Sequence, residues 1–321
     1  MMKSILKLGV AALACALVAG CGEKKTDQLV VGFAQIGSES GWRAAETRVA
    51  REEAEARGID LRVSDAQQRQ ENQIRAIRTF IAQGVDAILL APVVETGWDA
   101  VLAEAKQANI PVVLLDRRIE TADQGLYLAA VASDAVEEGR VARHWLAETV
   151  GAKPCDIVEL QGTVGASVAN DRKEGFGEIV AQHANLKIVR SQSGDFTRSR
   201  AKEVMESLIR SVGGANICAV YAHNDDMMIG AIQAMKEAGL KPGQDILTVS
   251  IDGVPDIFRA MADGEANATV ELTPNMAGPA FDLLKTYRET GQAPDKWVRT
   301  PSPLFLPATA EAEYASRRDR Y

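Results

Sequence analysis

The chain has 321 residues, of which 46% are hydrophobic, 25% charged and 5% aromatic. This composition belongs to an ordinary globular protein and excludes a disordered, collagenous or polytopic membrane chain. Single cores stop growing at about 250–300 residues, so two domains are expected, and a net charge of −8 with no Lys/Arg-rich run excludes a basic face for duplex nucleic acid.

The chain opens with Lys3 and Lys7, an apolar run from Leu8 to Val18, and then Ala19-Gly20-Cys21. A basic start, a short apolar stretch and small residues at its end describe a secretory signal peptide over 1–20; a spanning helix needs about 20 apolar residues. Val18-Ala19-Gly20-Cys21 further resembles a bacterial lipobox, so Cys21 is the expected lipidation site and 21–27 a polar tether. The competing reading is an ordinary cleavage site followed by a chance Cys. Cleavage before Cys21 leaves 301 residues at net charge −10 and places the protein in the periplasm or extracytoplasmic cell envelope.

From Leu29 onward, ten short apolar runs alternate with segments of helical period. The runs are Leu29–Phe33, Leu61–Val63, Ala87–Leu90, Val112–Leu115, Leu126–Val131, Asp156–Leu160, Lys187–Arg190, Ala219–Ala222, Ile246–Ile251 and Ala268–Leu272. Between the second and third, Ile74, Ile77 and Ile81 mark one helix face, while Glu71 and the Gln and Arg residues of 70–83 read as its solvated side. Gly58, Gly84, Asn109 and Gly239 sit where helices should stop in the left-handed conformation. Uniformly apolar strands each followed by a helix indicate parallel sheets covered on both faces, and ten units suit two doubly wound α/β lobes. No G-x-G-x-x-G follows the first strand and no P-loop sequence occurs, which argues against dinucleotide and nucleoside-triphosphate chemistry; no cofactor is expected.

With Cys15 in the signal and Cys21 at the lipobox, Cys155 and Cys218 remain. In an oxidising compartment this pair forms a disulfide if the strands carrying it are neighbours; otherwise the two are buried thiols. Three His and two Cys without ligand spacing give no zinc site.

In open parallel sheets, ligands bind beyond the carboxyl ends of the strands, and there this sequence turns polar and aromatic. The first run leads to Glu39, Ser40, Gly41, Trp42 and Arg43, and the fourth to Asp116 and Arg117. Those of the second half lead to Gly162, Asn170 and Arg172, to Asp195 and Phe196, to His223 and Asn224, and to Asp252. Carboxylates accept from hydroxyls, Arg donates in a planar fork and Asn does both, while Trp and Phe rings cover apolar C–H faces. The set points to a polyhydroxylated ligand. Taken singly, each has a plainer reading: Asp225 and Ser167 as helix N-caps, Trp42 and Phe196 as core, the Arg side chains as solvated charge, and His223 as structural. Their coincidence at strand ends favours a site.

These residues lie in VGFAQIGSESGWRAAET, APVVETGW, LLDR, VELQGTVGASVANDRKEGF, RSQSGDFTRS, VYAHNDDMMIGAIQA, SIDGVPDIFRAM and DGEANATVELTPNMAGPA, spread from Val31 to Ala280. There the chain resembles the sugar-binding proteins of bacterial ABC importers, the ribose-type periplasmic binding protein family, and within it the galactofuranose-binding branch most. The resemblance implies a type I fold, two lobes joined by a three-segment hinge with crossings near Ala129, Leu272 and Thr300. It divides the chain into 28–129 with 272–300, and 130–271 with 301–321. It also implies no enzymatic activity, a monosaccharide held between closing lobes, delivery to ABC permease subunits of the inner membrane, and a monomer. The loop Glu39, Ser40, Gly41, Trp42, Arg43 matches the first-lobe loop that reaches the sugar, with Trp42 as its stacking ring. Asp116 and Arg117 match ligand-binding residues, as do Arg172, Asn224 and Asp252 from the second lobe, with Phe196 as the opposing ring. Leu272 stands where ribose-binding relatives carry Gln, which points away from ribose.

Other classes remain open at this stage. Another pentose or hexose, or presentation of loaded protein to a chemoreceptor, fits the same residues. A glycosidase would use Asp116 and Asp252 as its carboxylate pair. Repressors of this fold need a DNA-binding segment where this chain has a signal peptide and tether.

Overall fold

The computed structural model describes residues 28–319 apart from residue 181. The signal peptide, the lipobox with Cys21 and the tether therefore lie outside the described residues.

The first lobe is built on one sheet of strands β1 (Val30–Gln35), β2 (Asp60–Asp65), β3 (Ala87–Leu90), β4 (Val112–Leu115), β5 (Ala129–Ala132) and β11 (Trp297–Arg299), in the order β11-β5-β4-β3-β1-β2. The second sheet holds β6 (Cys155–Gln161), β7 (Leu186–Ser193), β8 (Ala219–Ala222), β9 (Leu247–Asp252), β10 (Ala268–Glu271) and β12 (Leu304–Phe305), in the order β12-β10-β9-β8-β6-β7. Five strands of each sheet follow the same order shifted by five, with β11 and β12 added at corresponding edges, and every pairing is parallel except β10 with β12. In each lobe the strand order reverses beside its first strand, so the loops after β1 and β6 open at a topological switch point, where such sheets bind ligands.

The apolar runs are strands because both faces of each sheet are covered. In β3, Ala87 and Leu89 pack into one core and Ile88 and Leu90 into another on the opposite face; β4 divides the same way. Helices α1 (Gly41–Ala56), α2 (Gln70–Gln83) and α3 (Asp99–Gln107) follow β1, β2 and β3, and α4 (Ala135–Val150) follows β5. In the second lobe α5 (Ser167–Val180), α6 (Arg198–Leu208), α7 (Asp225–Glu237) and α8 (Pro255–Ala262) follow their strands, and α9 (Ala277–Thr290) and α10 (Ala310–Arg317) complete the fold. All four expected stop residues, Gly58, Gly84, Asn109 and Gly239, have positive φ.

Two sequence expectations shift. The run Leu126–Val131 divides into a 3₁₀ turn at Gln124–Leu126 and then β5, because the Asp123 carboxylate accepts from Gly125 N–H and tightens the turn. Since β5 lies wholly in the first sheet, the first crossing follows Ala132 rather than falling near Ala129. The other crossings run from β10 to α9, whose neighbours are α1, β3, β4 and β5, and from β11 to β12. β11 and β12 are too short to carry a period, and sequence reading misses them.

A disulfide joins Cys155 to Cys218, with Cα atoms 5.1 Å apart. The pairing of β6 with β8, Ile157 opposite Ala219, makes the two cysteines neighbours.

Candidate functional site

Between the lobes a small cavity is lined by Glu39, Ser40, Trp42, Arg43, Asp116 and Arg117 of the first lobe and Val168, Arg172, Phe196, Asn224 and Asp252 of the second, with Leu272 of the second crossing. Ten of the eleven residues read as ligand-binding from the sequence line it. The exception is Gly41: it is exposed, and its N–H donates to Asp226 Oδ2 of the second lobe at 2.7 Å.

Local chain geometry brings these groups together. Ser40 caps α1, its hydroxyl accepting from Arg43 N–H, which turns Trp42 and Arg43 inward. Asp116 (φ 63°) and Asp252 (φ 128°), directly at strand ends, and Phe196 (φ 59°), three residues beyond β7, have positive-φ backbones, a strain of about 1–3 kcal/mol each that persists only where surrounding contacts fix it. At Asp252 the fixing group is Asp225. Its carboxylate accepts from Gly253 N–H, Val254 N–H, Ser250 Oγ and Thr269 Oγ. Asp225 is thus not the N-cap expected from sequence. Asn224 is, its Oδ1 accepting from Met227 N–H at 2.9 Å, because the helix already begins at Asp225. Nor does Ser167 act as a cap: it is the first residue of α5, and its hydroxyl accepts from Arg118 N–H across the cleft at 2.9 Å.

The three guanidinium groups are buried, so none is solvated surface charge. Arg43 donates to Glu46 at 2.5 Å and to Asp116 at 2.6 Å; Glu46 in turn accepts from Gln35 Nε2. Arg172 donates to Glu138 Oε2 at 2.9 Å and to His223 O at 2.7 Å. Arg117 has less support. It donates to Val93 O at 3.1 Å, stands 3.6 Å from Asp116 and 4.0 Å from Glu39, and lies 5.1 Å over the Phe196 ring. Burial and the repulsion of Arg43 push its pKa down to about 10, against the pull of Asp116 and Glu39. Burial also drives Asp252 well above the usual carboxylate range; Arg172 opposes this, and Asp225, Asp226 and Asp116 reinforce it.

Several buried polar atoms of lining residues have no hydrogen-bond partner among the described residues: Glu39 Oε2, Arg43 Nε, Asp116 Oδ1, Arg117 Nε and Arg172 Nη2. Leaving such groups unsatisfied costs about 1–3 kcal/mol each, so the arrangement suits a ligand offering both donors and acceptors. The lining residues carry three carboxylates and three guanidiniums, a balance that fits a neutral ligand. Trp42, Val168, Phe196 and Leu272 supply the apolar walls, and Trp42 Nε1 donates to Leu272 O at 2.6 Å, which fixes the ring against the crossing.

Asn170 and Asp171 are not in the cavity but at its rim. Asn170 Nδ2 donates to Glu95 Oε2 at 2.7 Å, Asp171 pairs with Arg118, and Glu95 N–H donates to Gly165 O at 2.9 Å. On the other flank Asp226 binds both Gly41 and Arg198. His223 is buried under the site, between Glu159 Oε1 and Gly162 N–H. The lining residue Val168 and the supporting acids Glu46 and Glu138 escaped sequence reading. The signal available for the acids was a charged residue on the buried face of a mostly apolar helix stripe, which also carries Arg43 on α1 and Arg143 on α4.

Residues 31–289 match the family model described as a periplasmic binding protein domain. The chain is 64% identical to the galactofuranose-binding protein YtfQ of Escherichia coli (strain K12) over 292 residues, 91% of this chain and 92% of that protein. A crystal structure of a galactofuranose binding protein superposes with a TM-score of 0.90 at 64% identity, covering 91% of this chain and 100% of the other. The periplasmic binding protein component of the arabinose ABC transporter from Shewanella sp. ANA-3, bound to alpha and beta-L-arabinofuranose, superposes with a TM-score of 0.89 at 56% identity, covering 91% and 96%. The chain belongs to the periplasmic binding protein family, with the two α/β lobes of its type I members.

Proposed function

We propose that this member of the periplasmic binding protein family is the extracytoplasmic substrate-binding component of an ABC sugar importer, that it captures a monosaccharide in furanose form, galactofuranose first, and that it delivers the sugar to the permease. The observation that carries the reading is the cavity whose unbonded donors and acceptors come from both lobes. Asp116, Arg117, Arg172 and Asp252 take the ligand hydroxyls. Asn224 has its carbonyl engaged in the α7 cap and one N–H directed to Phe196 O, which leaves one N–H to offer. Trp42 and Phe196 cover the two C–H faces of the sugar.

Sugar touching both lobes stabilises the closed arrangement over the open one, because only there are all contacts made at once. The closing units are 28–132 with 277–299, and 135–271 with 304–319, and the protein acts as a monomer, tethered to the envelope through a lipid on Cys21. Catalysis by Asp116 and Asp252 is not part of this reading: the relatives are binding proteins, and Asp116 is already committed to Arg43.

The test is calorimetry with galactofuranose, galactopyranose, ribose, arabinose and fructose, together with small-angle scattering with and without the tightest of them. Galactofuranose should bind most tightly and shrink the particle. Tightest binding of a pyranose would refute the furanose reading, and unchanged dimensions at saturation would refute closure.

A further inference from the structure

Behind Arg172 stands a carboxylate that the binding reading leaves unused. Glu138 is fully buried on α4, one turn beyond the first crossing. Its Oε2 accepts from Arg172 Nε at 2.9 Å, and its Oε1 accepts from Ser302 Oγ at 3.1 Å. Ser302 belongs to the third crossing. On one side of it Thr300 N–H donates to Ala132 O in the first lobe; on the other Pro303 O accepts from Glu271 N–H in the second. Ser302 thus marks the second-lobe end of the pivot.

From this bridge we infer that Glu138 is a positioning residue which ties the third crossing to the sugar-facing guanidinium of Arg172. Two bonds orient the Arg172 fork: Nε to Glu138 and Nη1 to His223 O. Nη2, without a hydrogen bond among the described residues and 4.0 Å from Asp252 Oδ1, is left for the ligand. A planar guanidinium held at two nitrogens has its third direction fixed, so a displacement of the Glu138 carboxylate re-aims Nη2. The Ser302 hydroxyl is what sets that carboxylate from the crossing side. The first lobe differs: Glu46 backs Arg43 but takes its second bond from Gln35, on the same lobe's β1. A crossing therefore reaches a guanidinium in the second lobe, whereas in the first lobe it reaches the Trp42 ring through Leu272 O. This inference rests on the sugar-binding reading, and its test includes a measurement that needs no sugar.

Ser302→Ala removes the bond at the crossing without touching the cavity. The Nε proton of Arg172, bound to a buried carboxylate, should give a shifted, slowly exchanging resonance, identified by its loss in Arg172→Lys. In sugar-free Ser302→Ala that resonance should move. Titration with galactofuranose should show the Kd raised about two- to thirtyfold, and the same substitution should cost much less in the Arg172→Lys background. An unmoved resonance overturns the inference whatever the sugar result. So does an unchanged Kd, or an equal loss in both backgrounds, since the hinge would then act without Arg172. A moved resonance in a protein that does not bind galactofuranose supports the tie and refutes the furanose reading instead.

Discussion

Replacing Arg117 by Met should move affinity and stability in opposite directions. Met keeps most of the aliphatic stem and its contact with the Phe196 ring, but removes the charge and the donors. A hydrogen bond from a charged donor is worth about 1.5–3 kcal/mol, so the Kd for galactofuranose should rise about 10- to 150-fold. In the sugar-free protein the guanidinium is a burden: burial and Arg43 push its pKa well below the usual arginine range, down to about 10, equivalent to roughly 3 kcal/mol against the charged form at neutral pH. Val93 O loses its donor, a cost of about 1 kcal/mol. The sugar-free variant should therefore be more stable by about 2 kcal/mol and melt a few degrees higher. Isothermal calorimetry and differential scanning calorimetry at pH 7 measure both quantities on the same protein. If Arg117→Met melted several degrees lower and bound sugar as tightly as before, Arg117 would be a structural residue, and the reasoning from its weak support within the protein would be wrong.

Gly162→Ala would place a Cβ 1.9 Å from Phe196 Cζ and force the ring from its place in the cavity. An overpacking cost of about 1–3 kcal/mol should weaken sugar binding about 5- to 150-fold, read by calorimetry; unchanged affinity would remove Phe196 from the contact surface. Asn170→Ala breaks the rim bond to Glu95 and, at about 1 kcal/mol, should speed sugar release about fivefold in stopped-flow fluorescence with little change in association rate. A slower association instead would mean that the rim steers entry rather than holding closure. Reducing the disulfide opens a loop spanning 63 residues, and by chain entropy should cost about 4 kcal/mol. Thermal melts with and without reductant should differ clearly while sugar affinity stays constant, since Cys155 starts β6, at the amino end of the strand, opposite to the end that faces the cavity; identical melts would refute the chain-entropy argument.

Strand placement was the most legible feature of the fold. Ala87–Leu90, Val112–Leu115 and Ala219–Ala222 were read with the bounds they have, because a strand buried on both faces is apolar at every position and stands out against its neighbours. The helix stops at Gly84 and Asn109 were equally clear, since a left-handed residue leaves a chemical mark. Where pairing rather than composition sets the boundary, the reading slipped: β5 starts at Ala129 because Val113 of β4 lies opposite it, and nothing in Leu126–Val131 encodes that register.

Much the same division runs through the site. The sequence by itself determined which chemistry gathers at the strand ends, carboxylates, guanidiniums and two rings, because parallel sheets expose those ends wherever the chain turns polar. It could not determine what each group is bound to. Only the tertiary structure decided that Arg43 and Arg172 are each backed by a buried acid and Arg117 is not, that Gly41 meets Asp226 across the cleft instead of entering the cavity, and that Asp225 fixes Asp252 rather than capping α7. Apart from Arg43 and Glu46, one turn apart on α1, each of these depends on groups 25 to 185 positions apart in the chain meeting within hydrogen-bonding distance. Such partners are chosen by the packing of whole elements, and spacing along the chain does not record them.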